Sequence, residues 1–212
     1  MTEPKTYTTL RAVGEDSFEE KRSLFIGAAA PVRTEEEALA FIAARKKQYA
    51  DATHNVFAYH MKSGILSRYS DDGEPQGTAG MPTLDTVRKS GVDDAVVVVT
   101  RYFGGTLLGA GGLVRAYAKA AKIALEAACI VTYSVYAAYR VVCSYGDYQR
   151  LLKEFPRFGV LTDGTDFTDC VRIDCAVPLT DEPSFLTGIR DLTGARAVCE
   201  RTGERFDCPR EQ

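Results

Sequence analysis

VVVVTRYFGGTLLGAGGLVRAYAKAAKIALEAA, residues 96–128, decides the fold. Val96, Val97, Val98 and Val99 read as a strand buried on both faces, because β-branched side chains suit a pleated sheet and no polar residue marks a solvent side. Arg101, Tyr102 and Phe103 follow, then Gly104, Gly105, Gly109, Gly111 and Gly112. So many glycines cost chain entropy on folding, so the backbone there needs positive φ or a close approach. From Gly112 the pattern turns helical: Leu113, Ala116, Tyr117, Ala120, Ala124 and Ala127 share one side, and Arg115, Lys119, Lys122 and Glu126 form a polar stripe. The unit is a strand, a glycine-rich loop and a helix N-terminus.

Such a unit can bind an anion. The first N–H groups of a helix have no intrahelical acceptor and carry the positive end of the macrodipole, and glycine lets a phosphate reach the backbone. Arg101 and Arg115 are placed to add charge-assisted contacts, Lys119 to add charge, and Tyr102 or Phe103 to stack on bases. The same glycines also serve a tight strand-to-helix return. Neither the dinucleotide nor the P-loop spacing is met, and no Gly-Lys-Ser or Gly-Lys-Thr follows, so Walker-type nucleotide hydrolysis is not expected.

At 212 residues the chain is long enough for two small domains. No apolar run approaches a membrane span, and the N-terminus, MTEPKTYTTLRAV, lacks a signal-peptide core, so a cytoplasmic location and no membrane partner are expected. The formal net charge of −3 supplies no global field for nucleic acid, so any such site must be a local patch. Cys129, Cys143, Cys170, Cys175, Cys199 and Cys208 show no zinc-type spacing and lie far from His54 and His60; reduced core thiols, and no metal or cofactor, are expected.

In chain order, 7–13 and 21–32 read as extended. Thr34 followed by Glu35, Glu36 and Glu37 is a capping box opening a helix to about Tyr49, with Arg45, Lys46 and Lys47 where cations suit its C-terminus. Residues 52–60 and 65–69 form a hairpin about Lys62, Ser63 and Gly64. The polar loop SDDGEPQGTAG, 70–80, leads into a helix over 81–90, with Pro82 in its first turn. Asp71, Asp72 and Glu74 crowd three carboxylates together, but not at EF-hand spacing, so a plain turn is favoured over a metal site. His54 with Asp71 or Asp72 is a possible acid/base pair, yet no nucleophile setting accompanies it; bracing of the loop is the expectation for His54, Asn55, Asp71, Asp72 and Glu74, and no catalytic residue is assigned.

His54-Asn55, the 70–80 loop, and VVVVTRYFGGTLLGAGGLVRAY over 96–117 together resemble the Impact family, including its bacterial YigZ-like members. Arg101-Tyr102-Phe103-Gly104-Gly105 with Leu108-Gly109 and Gly112-Leu113 carries the signature, and the match covers about 17–128. The resemblance implies a first domain sharing the α/β fold of the second domain of a small-subunit ribosomal protein and of one domain of the translocating elongation factor. It also implies a smaller ferredoxin-like second domain. Eukaryotic relatives regulate translation by competing for the activator of an initiation-factor kinase, using further segments that this match does not include, so that partner is not carried over. For bacterial members the family suggests RNA or ribosome binding.

The second half has its own pattern. Residues 137–144, 160–167, 170–177 and 195–201 read as strands, and 145–158 and 180–193 as helices, which is the β-α-β-β-α-β order of a ferredoxin-like domain. The expected organisation is α+β with two domains, 1–134 and 135–212. The second part has 10 basic and 13 acidic residues and no RNP-like motif, which argues against an RNA platform there.

Three function classes follow. The first is a translation-associated regulatory or binding protein contacting RNA or the ribosome through 101–112 with Arg115 and Lys119. The second is a phosphate-binding enzyme: galactose, homoserine and mevalonate kinases share this domain fold, and Gly109-Ala110-Gly111-Gly112 lies where their loop would be, though the serines expected there are missing. The third is an adaptor for a translation factor or another protein, with a purely structural loop.

Overall fold

The computed structural model describes residues 6–61 and 66–209; the expected turn at Lys62, Ser63 and Gly64, with Ile65, lies outside the described residues. One compact unit is Thr8–Val131, and the other begins at Thr132 and takes in Tyr7. The chain runs through β1 (Thr6–Leu10), β2 (Gly14–Glu20), β3 (Ser23–Pro31), α1 (Glu35–Gln48), β4 (His54–His60), β5 (Ser67–Ser70), α2 (Gly80–Lys89), β6 (Ala95–Tyr102) and α3 (Ala110–Ala127).

In the first unit the sheet order is β2-β3-β6-β4-β5, with antiparallel neighbours throughout. The valine run is the middle strand, and its period-two alternation divides it between two cores. Val96 and Val98 join Ala38, Ile42 and Tyr59 on the α1 face. Val97 and Val99 join Val87, Leu113, Tyr117 and Leu125 on the face covered by α2 and α3. The α3 helix lies unusually close to β3 because Gly27 has no side chain: a Cβ there would sit 2.3 Å from the Ala120 carbonyl oxygen. Thr34 caps α1, its hydroxyl accepting from the Glu37 N–H at 3.3 Å.

β2 is absent from the sequence expectations. Its residues, GEDSFEE, are mostly poor strand formers. It forms because it is an edge strand, where carboxylates on the open side face water and only Phe18 packs inward. Glu15 on it accepts a hydrogen bond from the buried Arg45 of α1.

The second unit contains β7 (Ile130–Cys143), α4 (Tyr145–Glu154), β8 (Leu161–Phe167), β9 (Val171–Pro178), α5 (Glu182–Thr193) and β10 (Val198–Asp207). Its sheet runs β1-β7-β9-β8 with β10 paired to β7, the β-α-β-β-α-β succession read from the sequence. The α+β, two-domain class is therefore what the chain adopts. β7 starts at Ile130, before the expected 137, and β10 runs past 201 to Asp207; residues 134–137 pair with 204–207. All six cysteines are free thiols, and burial pushes Cys175 up to about 12, so it stays a neutral core group.

Candidate functional site

Where β4 and β6 run side by side, His54 is paired across the strands with Arg101, and Asn55 with Thr100. The loop after β5 then lays Glu74 over this pair. Arg101 and Glu74 are both buried, with only 6% and 3% of their side chains exposed, and Arg101 Nη1 lies 2.5 Å from Glu74 Oε1. The Tyr117 hydroxyl, from the apolar face of α3, donates to the same oxygen at 2.8 Å. Burial and the adjacent Glu74 carboxylate push the Tyr117 phenol well up, so it remains a donor. Arg101 Nη2 donates to Ser23 Oγ at 3.3 Å, and the guanidinium lies 5.4 Å from the ring centres of both Phe25 and Phe103. Arg101 Nε is buried with no hydrogen-bond partner.

The three loop carboxylates diverge. Asp71 accepts from the amides of Gly77, Ala79 and Gly80 at 2.9, 3.1 and 2.8 Å, which places a carboxylate on the open N-terminus of α2. Asp72 accepts from Lys46 Nζ and from the Asn55 amide, each at 2.6 Å. Glu74 turns inward to Arg101 and Tyr117. Among the described residues no group of three or more His, Cys, Asp or Glu side chains is placed to hold a metal ion. Because Asp71 does the work of a side-chain cap that Ala79 cannot do, Asp71→Ala is expected to cost about 2 kcal/mol, the upper end for a lost cap. Chemical denaturation followed through the α2 amides checks this; an unchanged midpoint would contradict it.

His54 is held by the backbone rather than by a carboxylate: its Nδ1 donates to the Asp72 carbonyl at 2.8 Å, which fixes the tautomer because a carbonyl only accepts. Its Nε2 is 3.9 Å from Glu74 Oε1, beyond hydrogen-bond distance. Asn55 bridges Tyr49 and Thr100, donating to the Tyr49 carbonyl at 3.1 Å and accepting from the Thr100 hydroxyl at 2.8 Å.

The glycines of the loop divide by task. A Cβ on Gly104 would lie 1.9 Å from the Arg22 carbonyl oxygen, and one on Gly112 2.9 Å from Leu108 Cβ, so both allow close packing. Gly105 has φ +80°. Gly109 caps α3 with φ 73° and ψ 165°, a region open essentially to glycine alone, and a Cβ there would meet nothing within 4 Å. Among the described residues no side chain caps α3, and no acidic residue occupies its first turn. Its first α-helical bond runs from the Leu113 N–H to the Gly109 carbonyl, so the amides of Ala110, Gly111 and Gly112 have no intrahelical acceptor.

Leu108 borders two hollows. One, of about 230 Å³, is lined by Phe18, Glu20, Lys21, Arg115 and Lys119. The Lys119 ammonium stands 4.0 Å from the centre of the Phe18 ring. The other, of about 400 Å³, is lined by His54, Glu74, Arg101, Phe103, Leu107 and Leu113 and reaches Gly109 and Ala110. Arg101 and Arg115 thus belong to different hollows. Tyr102 donates to Asp51 at 2.8 Å, whereas Phe103 is partly exposed, its amide donating to Thr53 Oγ1 at 3.0 Å. Ser23, Tyr117, Lys21 and Phe18 are absent from the sequence-derived site. Ser23 and Tyr117 resemble ordinary strand and core residues, while Phe18 lies on β2, which the sequence does not announce, and Lys21 on the turn that follows it.

A family model, the Impact N-terminal domain, matches residues 21–125, and a domain of unknown function, DUF1949, matches 141–196. The IMPACT family member YvyE of Bacillus subtilis is 33% identical over 193 residues, 91% of this chain and 89% of that protein. The IMPACT family member YigZ of Escherichia coli is 38% identical over 128 residues, 59% of this chain and 63% of that protein. Protein IMPACT of Mus musculus is 33% identical over 114 residues, covering 51% of this chain and 35% of the mouse protein. A solved structure described as the crystal structure of an hypothetical protein, 28% identical, covers 93% of this chain and 98% of its own with a TM-score of 0.58. No helix among the described residues is long and apolar enough to cross a membrane. With the sheet, the loop and both domain matches in the same order, and YvyE aligned along nearly its whole length, the chain belongs to the IMPACT family.

Proposed function

We propose that the protein is a translation-associated binding protein whose first unit grips RNA phosphates on the basic face of α3. One observation carries this: Lys21, Arg115 and Lys119 line a single cleft, and among the described residues none of the three is held in an ion pair. Exposed cations without carboxylate partners keep their attraction for phosphate, and Phe18 in the same cleft offers an aromatic surface for a base. Family membership supports the connection to translation, and the patch answers the requirement set by a net charge of −3 that attraction be local. Tyr102 is tied to Asp51 and Arg101 to Glu74, so charge contacts fall to Lys21, Arg115 and Lys119.

Fluorescence anisotropy with a labelled single-stranded oligoribonucleotide tests the proposal. Arg115→Ala/Lys119→Ala is expected to weaken binding about tenfold at low salt and to flatten the log–log salt slope by about 0.7 for each phosphate no longer neutralised. Both positions are accessible to solvent, so the variant folds. Equal affinity and slope in wild type and variant would refute the basic face as the contact and leave a protein partner as the better reading.

A further inference from the structure

The outward side of α1 is not the polar face that a surface helix ordinarily turns to water. Ala38, Ile42 and Arg45 point into the unit, while on the opposite side Leu39 is 49% exposed and Ala40, Ala43 and Ala44 are exposed as well. That side carries charge only at its ends, with Glu36 in the first turn and Lys47 in the last. Among the described residues neither of these two is held in an ion pair. The helix dipole accounts for the sign of each charge, but not for the apolar middle between them.

Helical spacing sets these residues in a line. With about 3.6 residues per turn, Glu36, Ala40, Ala43 and Lys47 fall within about 60° of one another around the axis. Their positions are also symmetric. An antiparallel copy, related by a two-fold axis level with the midpoint between Phe41 and Ile42, sets Ala40 opposite Ala43 and Glu36 opposite Lys47, and each contact occurs twice. Leu39 then lies beside Ala43 of the second copy, whose small side chain leaves room for it. Alanine at both central positions lets the axes approach toward the short end of the usual spacing of about 8–10 Å, close enough for Glu36 and Lys47 to meet. A surface that meets its own image with opposite charges aligned is what an isologous contact requires. The open edge of β2 shows the reverse: it carries Glu15, Asp16, Glu19 and Glu20, so a second copy pairing there would meet like charge.

We propose that two copies of the chain associate through α1, antiparallel about a two-fold axis, with Ala40 and Ala43 in contact and Glu36 of each copy paired with Lys47 of the other. One helix pair covers less than the roughly 1,200–2,000 Å² of a standard interface, so the dimer is weak and forms at high concentration. Because α1 lies on the face of the sheet away from α2 and α3, the dimer leaves the basic cleft open, and either proposal can fail without the other.

Sedimentation velocity of the full chain from about 10 μM to about 1 mM tests this, with wild type expected to pass from monomer to dimer across the series. Ala43→Arg sets bulk at the closest approach and should stay monomeric throughout. Glu36→Lys and Lys47→Glu each bring like charges together twice and should weaken association about tenfold. An equimolar mixture of those two variants restores both opposite-charge contacts and should recover wild-type association. All three positions are exposed, so the variants keep the fold. A monomer at the highest concentration, a dimer that survives Ala43→Arg, or a mixture that associates no more tightly than its components would each overturn the inference.

Discussion

Glu74→Ala is expected to destabilise the first unit by about 3–5 kcal/mol, because it strands a buried guanidinium whose carboxylate partner is Glu74. Tyr117 loses its acceptor in the same step. The loss has a diagnostic pattern. Removing both charges, as in Glu74→Leu with Arg101→Met, should cost less than Glu74→Ala alone, since a buried pair replaced by apolar groups of similar size is often near neutral. Native-state hydrogen exchange of the Val97 and Val99 amides in the middle strand reads the opening free energy of this unit. A cost below about 1 kcal/mol for Glu74→Ala, or a double variant weaker than the single, would show that the pair is not the buried anchor described.

Phe185→Ala should cost the second unit about 3–5 kcal/mol, the usual range for removing a fully buried aromatic ring. Phe185 is fully enclosed, with the rings of Tyr139, Phe155 and Phe158 at 5.5, 6.2 and 6.1 Å. Tyr139 stands on β7 and the two phenylalanines on the turn after α4, while Phe185 itself projects from α5, so the cavity left behind is walled by separate segments that cannot all close on it. Exchange of the Ile173 and Cys175 amides on β9 measures the effect. Protection within about 1 kcal/mol of wild type would mean that the site collapses around the deletion.

The sequence was most legible where the signal was local. The valine run, the glycine cluster and the Ala-rich face of α3 each announce their structure within a few residues, and they proved to be the middle strand, the loop and the helix laid on it. The second unit was legible as an order of elements for the same reason, although its strand ends were not, since pairing of 134–137 with 204–207 depends on residues far apart in the chain. β2 escaped because an edge strand can be acidic. The site was only half legible. Arg101 stands just before the glycines, where it could add a contact to an anion; the register of β6 against β3 and β4 brings it to Ser23 and Glu74, and no local pattern encodes that. Tyr117 had the spacing of a core residue and is one, yet its hydroxyl is also a site donor. The cleft lined by Lys21, Arg115 and Lys119 joins residues from opposite ends of the first unit, which only the pairing of β2 and β3 beneath α3 brings together.

The most direct test of the proposed function is co-sedimentation with purified ribosomes across a potassium chloride series, comparing wild type with Lys21→Ala/Arg115→Ala/Lys119→Ala. Wild type should pellet with ribosomes at low salt and be released steeply as salt rises, and the triple variant should stay in the supernatant while keeping its melting temperature. Equal pelleting of the two proteins, or no pelleting of wild type at the lowest salt, would contradict the account.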